Sequence, residues 1–240
     1  MLILGIETAT AQVSVAIGGH EGVIGLFEVC RGRRHAETLT PAIELVCRQA
    51  QIELDEIGLV AVDVGPGLFT GMRVGLAAAK AIAQARRLPM IGISSLDLLA
   101  FPLRHGVRPI VAVIDARKDE VFWSIYRPVP GGVQRVAEPA VGSIDEVVAD
   151  VVARRLDPLF AGDGALRHRE RLLVDAGGEV ADQFLAHPSA APLVQLAHAR
   201  ALREEWVNPW EVQPMYLRAP DAQINWSTRD SAARSRSTRP

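Results

Sequence analysis

Residues 2–19 read LILGIETATAQVSVAIGG, and this run predicts two strands joined by a short acidic turn. The apolar residues before Glu7 are typical of a buried strand, and the small polar residues after it are typical of a turn. Val13, Val15 and Ile17 then alternate with smaller residues, which predicts a second strand that ends at a glycine pair. A carboxylate therefore lies where the first strand gives way to the turn.

The same signature returns in residues 111–126, which read VAVIDARKDEVFWSIY. Asp115 takes the place of Glu7, and three apolar residues again alternate after the turn, at Val121, Trp123 and Ile125. Two segments of this kind, each followed by helical patterns, predict an α/β protein with two duplicated lobes around a cleft.

Length and composition fit this architecture. The 240 residues are 49% hydrophobic, which is enough for a sizeable core. The patterns place the first lobe over 1–105, a smaller and less regular second lobe over 106–218, and a polar, disordered tail over 219–240. The formal net charge is −2, so the chain offers no broad basic surface, and we expect a partner to hold any RNA.

Cysteine usage and hydropathy predict a cytoplasmic protein. Cys30 and Cys47 are far apart and lack metal-ligand neighbours in sequence, which indicates a reducing compartment. The chain opens on a strand pattern, and no apolar run reaches membrane-spanning length, so we expect no membrane contact.

A glycine-rich run, GPGLFTG at 65–71, leads into a predicted helix over 71–86. Glycines before a helix N-terminus can admit an anion, but a phosphate loop needs Lys and then Ser or Thr after its last glycine, and Met72 and Arg73 stand there instead. The helix also carries a ridge of small residues at Gly71, Gly75, Ala79 and Ala83. Such a ridge lets another helix approach closely, and the residues leave open whether it packs inside its own domain, against helix 36–50 or the sheet, or against a partner.

Seven blocks of the chain, in matching order and spacing, resemble the TsaB (YeaZ) family of bacterial tRNA-modification proteins. The blocks are LGIETAT, HAETLTPAIELV, GPGLFTGMRVGLAAAKAIA, GISSLDLLA, VIDARKDEVFWSIY, GDGA and PMYLRAPDA. They span about residues 2–222, and the GPG-x-FTG block is the most specific. The resemblance implies the fold of actin-like ATPases and sugar kinases (ASKHA), which agrees with the duplicated lobes.

The resemblance also implies a role without chemistry of its own. Members of this family are non-catalytic scaffolds and activators that form a heterodimer with TsaD and work with the ATPase TsaE. TsaD transfers a threonylcarbamoyl group to the adenosine 3′ of the anticodon, giving t6A in tRNAs that read codons beginning with A. The expectation is that ATP or ADP and metal bind TsaD and TsaE, that this chain alone binds no cofactor, and that tRNA is reached only through the complex.

The resemblance implies that the partner binds two helices of the first lobe, 36–50 and 71–86. The residues expected at this interface are Leu39, Ile43, Val46, Met72, Gly75, Leu76, Ala79 and Ala83. Alone, the chain is expected to form a homodimer through the same apolar surface.

The expected absence of catalysis follows from two histidine positions of the catalytic relatives. Those relatives carry a metal-binding His-x-x-x-His, and alignment through GISSLDLLA puts Ser95 and Leu99 at the two positions. The run SSLD is instead typical of a capping box, with Ser94 as the N-cap and Asp97 reaching back to it.

The nucleotide cleft is also expected to be degenerate. Glu7 and Asp115 hold the phosphate-site positions, but Arg117 and Lys118 stand where nucleotide-binding members have small residues. We expect Asp115 and Arg117 to form a turn hydrogen bond and an ion pair, and GDGA at 162–165 to form a tight turn. The alternative is an actin-like-fold enzyme, either a glycoprotease-type metallopeptidase or a small-molecule kinase.

Overall fold

The structure is a computed structural model that describes residues 1–32 and 34–218. The tail predicted over 219–240 lies outside the described residues. Within the described ranges the chain forms two mixed β-sheets with helices packed on them.

The first sheet has five strands in the order β3-β2-β1-β4-β5. They are β1 (Leu2–Glu7), β2 (Gln12–Gly19), β3 (Gly22–Cys30), β4 (Ile57–Asp63) and β5 (Met90–Ile93). The first three strands pair antiparallel as successive hairpins, whereas β4 and β5 join β1 in parallel. Val13, Val15 and Ile17 of β2 are all buried in the same hydrophobic cluster. A shift of the pairing by one residue would turn them to the other face of the sheet, so their alternation fixes the register of the first hairpin.

Three helices belong to this sheet: α1 (His35–Ala50), α2 (Phe69–Arg86) and α3 (Ser95–Ala100). Helices α1 and α2 make the crossovers to β4 and β5, and both pack on the same face of the sheet, in one hydrophobic cluster with Leu4 and Val60. Helix α2 begins two residues before the predicted start at residue 71.

The second sheet repeats the first. Its path is β11-β10-β6-β7-β8, with β9 paired to β7. The strands are β6 (Ile110–Arg117), β7 (Glu120–Val129), β8 (Gly132–Arg135), β9 (Ala140–Ser143), β10 (Leu159–Ala161) and β11 (Glu179–Val180). Two hairpins again precede two parallel strands, so the duplicated fold predicted from Glu7 and Asp115 is confirmed.

The remaining helices follow the second sheet in the chain. They are α4 (Ile144–Ala153), α5 (Asp163–Arg167), α6 (Arg169–Arg171) and α7 (Ala190–Ala201). Short helical turns complete the described elements: 3₁₀ turns at Leu54–Glu56, Phe101–Leu103 and Gln183–Leu185, and a π turn at Leu172–Ala176.

Helix α7 returns to the first lobe. Its buried residues Leu193, Val194 and Ala197 pack against Ile3 and Leu59 of the first sheet, on the face opposite α1 and α2. Beyond the helix, Val207 pairs with Met90 of β5 and the Met215 amide donates to the Val64 carbonyl at 2.7 Å. The prediction that 106–218 forms one lobe was therefore wrong for its last part, because α7 completes the core of the first lobe.

Along the described part of the chain, no helix combines the length and the apolar character needed to cross a membrane.

Candidate functional site

The small-residue ridge of α2 faces inward, onto the turn after β1. A Cβ atom at Gly71 would collide with the Thr8 carbonyl oxygen, and one at Gly75 would collide with the Thr8 hydroxyl. The Thr8 hydroxyl donates to the Gly71 carbonyl at 2.8 Å. Ala79 and Ala83 continue the ridge and are fully buried. The ridge therefore serves close packing inside the first lobe.

This orientation corrects the predicted interface. All eight residues expected to contact a partner are buried in the first lobe: Leu39, Ile43, Val46, Met72, Gly75, Leu76, Ala79 and Ala83. The prediction was wrong because apolar and small residues at helical spacing mark the side of an amphipathic helix that faces its own core. The outward face of α2 instead presents Arg73, Ala77, Ala81 and Ala85.

The glycine-rich run does not leave a phosphate cradle at the start of α2. The Leu68 amide, which precedes the helix, donates to the Ala9 carbonyl at 2.7 Å. A Cβ atom at Gly67 would collide with the same carbonyl. The turn after β1 therefore occupies the space in front of the helix, and the glycines make that approach possible.

Two buried carboxyl groups lie at the carboxyl edge of the first sheet. Glu7 ends β1 and Asp63 ends the neighbouring parallel strand β4. Glu7 Oε1 accepts the Ala9 amide at 2.7 Å, and Asp63 Oδ1 accepts the Gly65 amide and the Ser95 hydroxyl, both at 2.7 Å. Glu7 Oε2 and Asp63 Oδ2 have no partner among the described residues.

Burial sets the protonation of this pair. It raises the pKa of Glu7 well above its usual value, and the nearby charge of Asp63 raises that pKa further. Burial likewise raises the pKa of Asp63 to about 7, although hydrogen bonds from Ser95 and Gly65 oppose the shift. Asp63 was not among the predicted site residues, yet a carboxylate at the end of a strand paired in parallel with β1 was a usable signal.

The two positions aligned with the catalytic histidines carry no available ligand. The Ser95 side chain is fully buried and its hydroxyl donates to Asp63. Leu99 is buried in the cluster that joins α3 to β6 and β7. Within residues 1–32 and 34–218, no group of three or more histidine, cysteine or acidic side chains has a geometry that could hold a metal ion. The residues present do not fit a metal of the His-x-x-x-His type.

The capping prediction was correct for Ser94 and wrong for Asp97. Ser94 Oγ accepts the Leu96 amide at 3.3 Å. Asp97 turns away and accepts hydrogen bonds from the Tyr126 hydroxyl at 2.9 Å and from Arg135 at 2.7 Å. These groups belong to the second sheet, so Asp97 joins the two lobes, which a local pattern does not reveal.

The Asp115 carboxylate is neutralised by arginines. Its Oδ1 accepts the Arg117 amide at 2.9 Å, and Arg117 Nη1 lies 3.7 Å from Oδ2, as the predicted turn required. Arg167, which the sequence analysis missed, donates to both oxygens at 3.0 and 3.1 Å. A carboxylate held in this way is not free to organise a metal and phosphates.

The GDGA turn is tight, as predicted. Gly162 has φ of 114°, and a Cβ there would collide with the Val113 carbonyl. Asp163 Oδ1 accepts the Asp115 amide at 2.9 Å, which fixes the turn against β6.

Comparison with known proteins gives the family of the chain. The family model described as TsaD: tRNA N6-adenosine threonylcarbamoyltransferase matches residues 28–226. An uncharacterized Mycobacterium leprae protein is 35% identical over 92% of this chain, which spans 56% of that relative's length. The Escherichia coli tRNA threonylcarbamoyladenosine biosynthesis protein TsaB is 29% identical over 91% of this chain and 95% of its own length.

Solved structures agree. A Pseudomonas aeruginosa protein described as similar to the peptidase YeaZ has a TM-score of 0.79 and 28% identity, over 90% of this chain and 99% of that chain. The (R)-2-hydroxyglutaryl-CoA dehydratase component A of Acidaminococcus fermentans has a TM-score of 0.50 at 10% identity, covers 84% of this chain and 98% of its own, and shares the fold alone. The predicted resemblance to the TsaB family and the predicted actin-like ATPase fold are both confirmed.

Proposed function

The chain belongs to the TsaD family, and we propose that it is a non-catalytic subunit that supports threonylcarbamoyl transfer to the adenosine 3′ of the anticodon in tRNA. Its relatives named TsaB carry threonylcarbamoyladenosine biosynthesis in their names. The main support for the proposal is that buried side chains stand at both histidine positions of the catalytic relatives. The Ser95 hydroxyl donates to Asp63, and Leu99 is part of the core.

The cleft supports the same assignment. Glu7 is fully buried beside Asp63, and Asp115 is engaged by Arg117 and Arg167. Neither carboxylate is exposed and unpaired, as a kinase would require in order to hold a metal-bound nucleotide. The peptidase alternative would require metal ligands at the positions of Ser95 and Leu99, where both side chains are buried. The chemistry, with ATP or ADP and metal, then belongs to partner proteins: a catalytic TsaD subunit and the ATPase TsaE. The tRNA is reached through the complex, in the cytoplasm.

The partner surface we propose is the outward side of α1 and α2. On α2, alanines at 77, 81 and 85 leave a low ridge that another helix can approach closely. On α1, the exposed residues Glu37 and Glu44 add charge. This surface replaces the eight buried residues of the sequence prediction.

An aromatic cluster stands at the N-terminal end of this ridge. The Arg73 guanidinium lies 3.7 Å from the centroid of the Phe69 ring, and its Nε donates to the Tyr216 hydroxyl at 3.0 Å. The two rings are 5.3 Å apart, and each residue is more than a third exposed. Aromatic and arginine side chains of this kind are frequent anchors at interfaces, so the cluster suits a partner contact.

A reconstituted transfer assay tests the proposal. TsaD from the same genome, with TsaE, ATP, threonylcarbamoyl donor and tRNA, is expected to need this chain for activity, whereas the chain without TsaD is expected to show none. Ala81→Arg is expected to abolish the stimulation, because it places a charged side chain on the ridge. Ala149→Arg is the matched control, since Ala149 is also an exposed helical alanine, on α4 of the second lobe. Transfer by this chain alone, or full TsaD activity without it, would contradict the assignment.

A further inference from the structure

Three reactive side chains meet at the junction of the two lobes. Cys30 ends the edge strand β3 and is exposed. His187 lies just before α7, and its Nε2 is 3.5 Å from Cys30 Sγ. The other ring nitrogen, Nδ1, is 4.0 Å from Asp163 Oδ2, at the start of α5.

The geometry favours proton transfer over metal binding. The two nitrogens of one imidazole face different groups on opposite sides of the ring, so the thiol and the carboxylate do not converge on a common point. His187 Nδ1 is buried without a hydrogen-bond partner in the described part of the chain, and the Asp163 carboxylate lies 4.0 Å from it. A nucleophile within hydrogen-bond reach of a base, with a third group facing the far side of that base, is the arrangement that activates thiols.

We propose that Cys30 is a thiol–disulfide exchange site, with His187 as the base and Asp163 as the group that positions the imidazole. The substrate class is a low-molecular-weight disulfide. The Cys30 sulfur attacks one sulfur of the disulfide, the S–S bond of the substrate breaks, and a mixed disulfide forms on Cys30. His187 Nε2 takes the thiol proton and returns it to the departing thiolate. The substrate disulfide is the oxidant, so no other reactant is needed.

The surroundings keep the pair neutral over a wide pH range. Burial raises the pKa of the Cys30 thiol, and the negative charges of Asp163 and Glu7 raise it further. Burial lowers the pKa of His187, although Asp163 opposes this shift. Other charged groups around the cluster are Glu28 on β3 and Asp115, which is paired with Arg167.

Between the two pKa values the main form is the neutral pair, a thiol beside an unprotonated His187 Nε2, and its population does not change with pH in that range. Attack in which His187 Nε2 removes the thiol proton as the new S–S bond forms therefore proceeds at a constant rate across that range. An ordinary thiol behaves differently, because its thiolate fraction rises about tenfold for each pH unit below its pKa. A flat rate profile is therefore the signature of the Cys30–His187 pair.

Small molecules can reach the Cys30 thiol, which is exposed, and one side of His187. An open cavity of about 380 Å³ reaches His187 and is lined in part by Gln12, Glu28, Arg104 and Phe184. Gln12 donates to the Pro188 carbonyl at 2.9 Å, which holds the segment next to His187 against β2. The imidazole therefore sits on a fixed segment at the wall of an open space.

The chain contains its own control. Cys47 on α1 is partly buried, and burial also raises its pKa, but among the described residues no histidine is in hydrogen-bond contact with it. The variants Cys47→Ser and Cys30→Ser isolate the two thiols. Each is titrated with dithiobis(nitrobenzoate), an aromatic disulfide whose cleavage is followed by absorbance, from about pH 6.5 to about pH 8.

The expected result is a nearly constant rate for Cys30 and a rise of about tenfold per pH unit for Cys47. Adding His187→Gln to the Cys47→Ser protein should restore the ordinary slope and slow Cys30 about tenfold or more at the lowest pH. Oxidised glutathione should then modify Cys30 and leave Cys47 free, as seen by intact mass and peptide mapping.

Two results would overturn the proposal. One is a Cys30 rate that rises with pH as steeply as that of Cys47, which would mean that no base removes its proton during the attack. The other is an unchanged profile in the folded His187→Gln protein, with folding checked by circular dichroism. The first comparison needs no histidine variant, so the test stands even if that variant does not fold.

Discussion

Replacing Asp63 with asparagine removes one charge from the buried pair at the end of β1 and β4. Asparagine keeps the Oδ1 acceptor, which receives the Gly65 amide and the Ser95 hydroxyl. The side-chain volume is almost unchanged. The substitution therefore changes the titration of the site while its hydrogen bonds to Gly65 and Ser95 can persist.

The expected magnitude follows from the pKa of Asp63, which burial raises from 3.8 to about 7. A shift of about 3 pH units corresponds to about 4 kcal/mol at about 1.4 kcal/mol per unit. Because the folded-state pKa is raised, the folded protein keeps a proton that the unfolded chain has released. The stabilisation is present in full below the unfolded pKa and is lost as pH rises through the folded pKa. About two of these three pH units lie between pH 5 and pH 7, so about 2.7 kcal/mol of the stabilisation is lost over that interval.

The assay is urea unfolding at about pH 5 and about pH 8, followed by circular dichroism and analysed by linear extrapolation. Asp63→Asn is expected to gain stability relative to the parent as pH rises, by about 2 to 3 kcal/mol between the two conditions. Asp55→Asn is the control, because Asp55 is 75% exposed and pairs with Arg86 at the surface. If the stability difference between the parent and Asp63→Asn is the same at both pH values, Asp63 does not titrate with a raised pKa in the folded protein.

Three further predictions concern packing, the lobe junction and ligands. Ala79→Trp is expected to lower the free energy of unfolding by about 3 kcal/mol or more, because Ala79 is fully buried. Ala81 is exposed, so Ala81→Trp should change the free energy of unfolding by less than about 0.5 kcal/mol. Thermal melts of the two variants test the difference. Asp97→Ala should cost about 2 to 4 kcal/mol in urea unfolding, because Tyr126 and Arg135 lose their shared acceptor, and an unchanged midpoint would contradict the proposed link between lobes. The natively purified chain is expected to carry no stoichiometric metal by atomic emission and to show no melting shift with ATP and magnesium, and either signal would favour the enzyme alternative.

The repeated strand order could be predicted from the sequence because it depends on the local alternation of apolar and smaller residues. Val13, Val15 and Ile17 alternate in the same way as Val121, Trp123 and Ile125, and both hairpins form as predicted. Helix α7 shows the limit of such patterns. Its apolar residues predict burial, but nothing in them says that the helix crosses back to the first sheet.

The sequence of α2 alone does not show which element packs against its small-residue ridge either. Small residues at Gly71 and Gly75 do mark a close approach, as predicted, but the approaching element is the turn at Thr8 and not a second helix. Asp97 and Arg167 gain their roles from groups in distant parts of the chain. The same holds for Cys30, His187 and Asp163, which no spacing rule connects.

The pairing of this chain with a catalytic subunit can be measured by light scattering on a gel-filtration column. The chain is run alone, with TsaD from the same genome, and with TsaD, TsaE and ATP. Alone it is expected to elute as a homodimer, and with TsaD as a one-to-one heterodimer that Ala81→Arg disrupts and Ala149→Arg does not. Two species that elute independently under every condition would contradict the account.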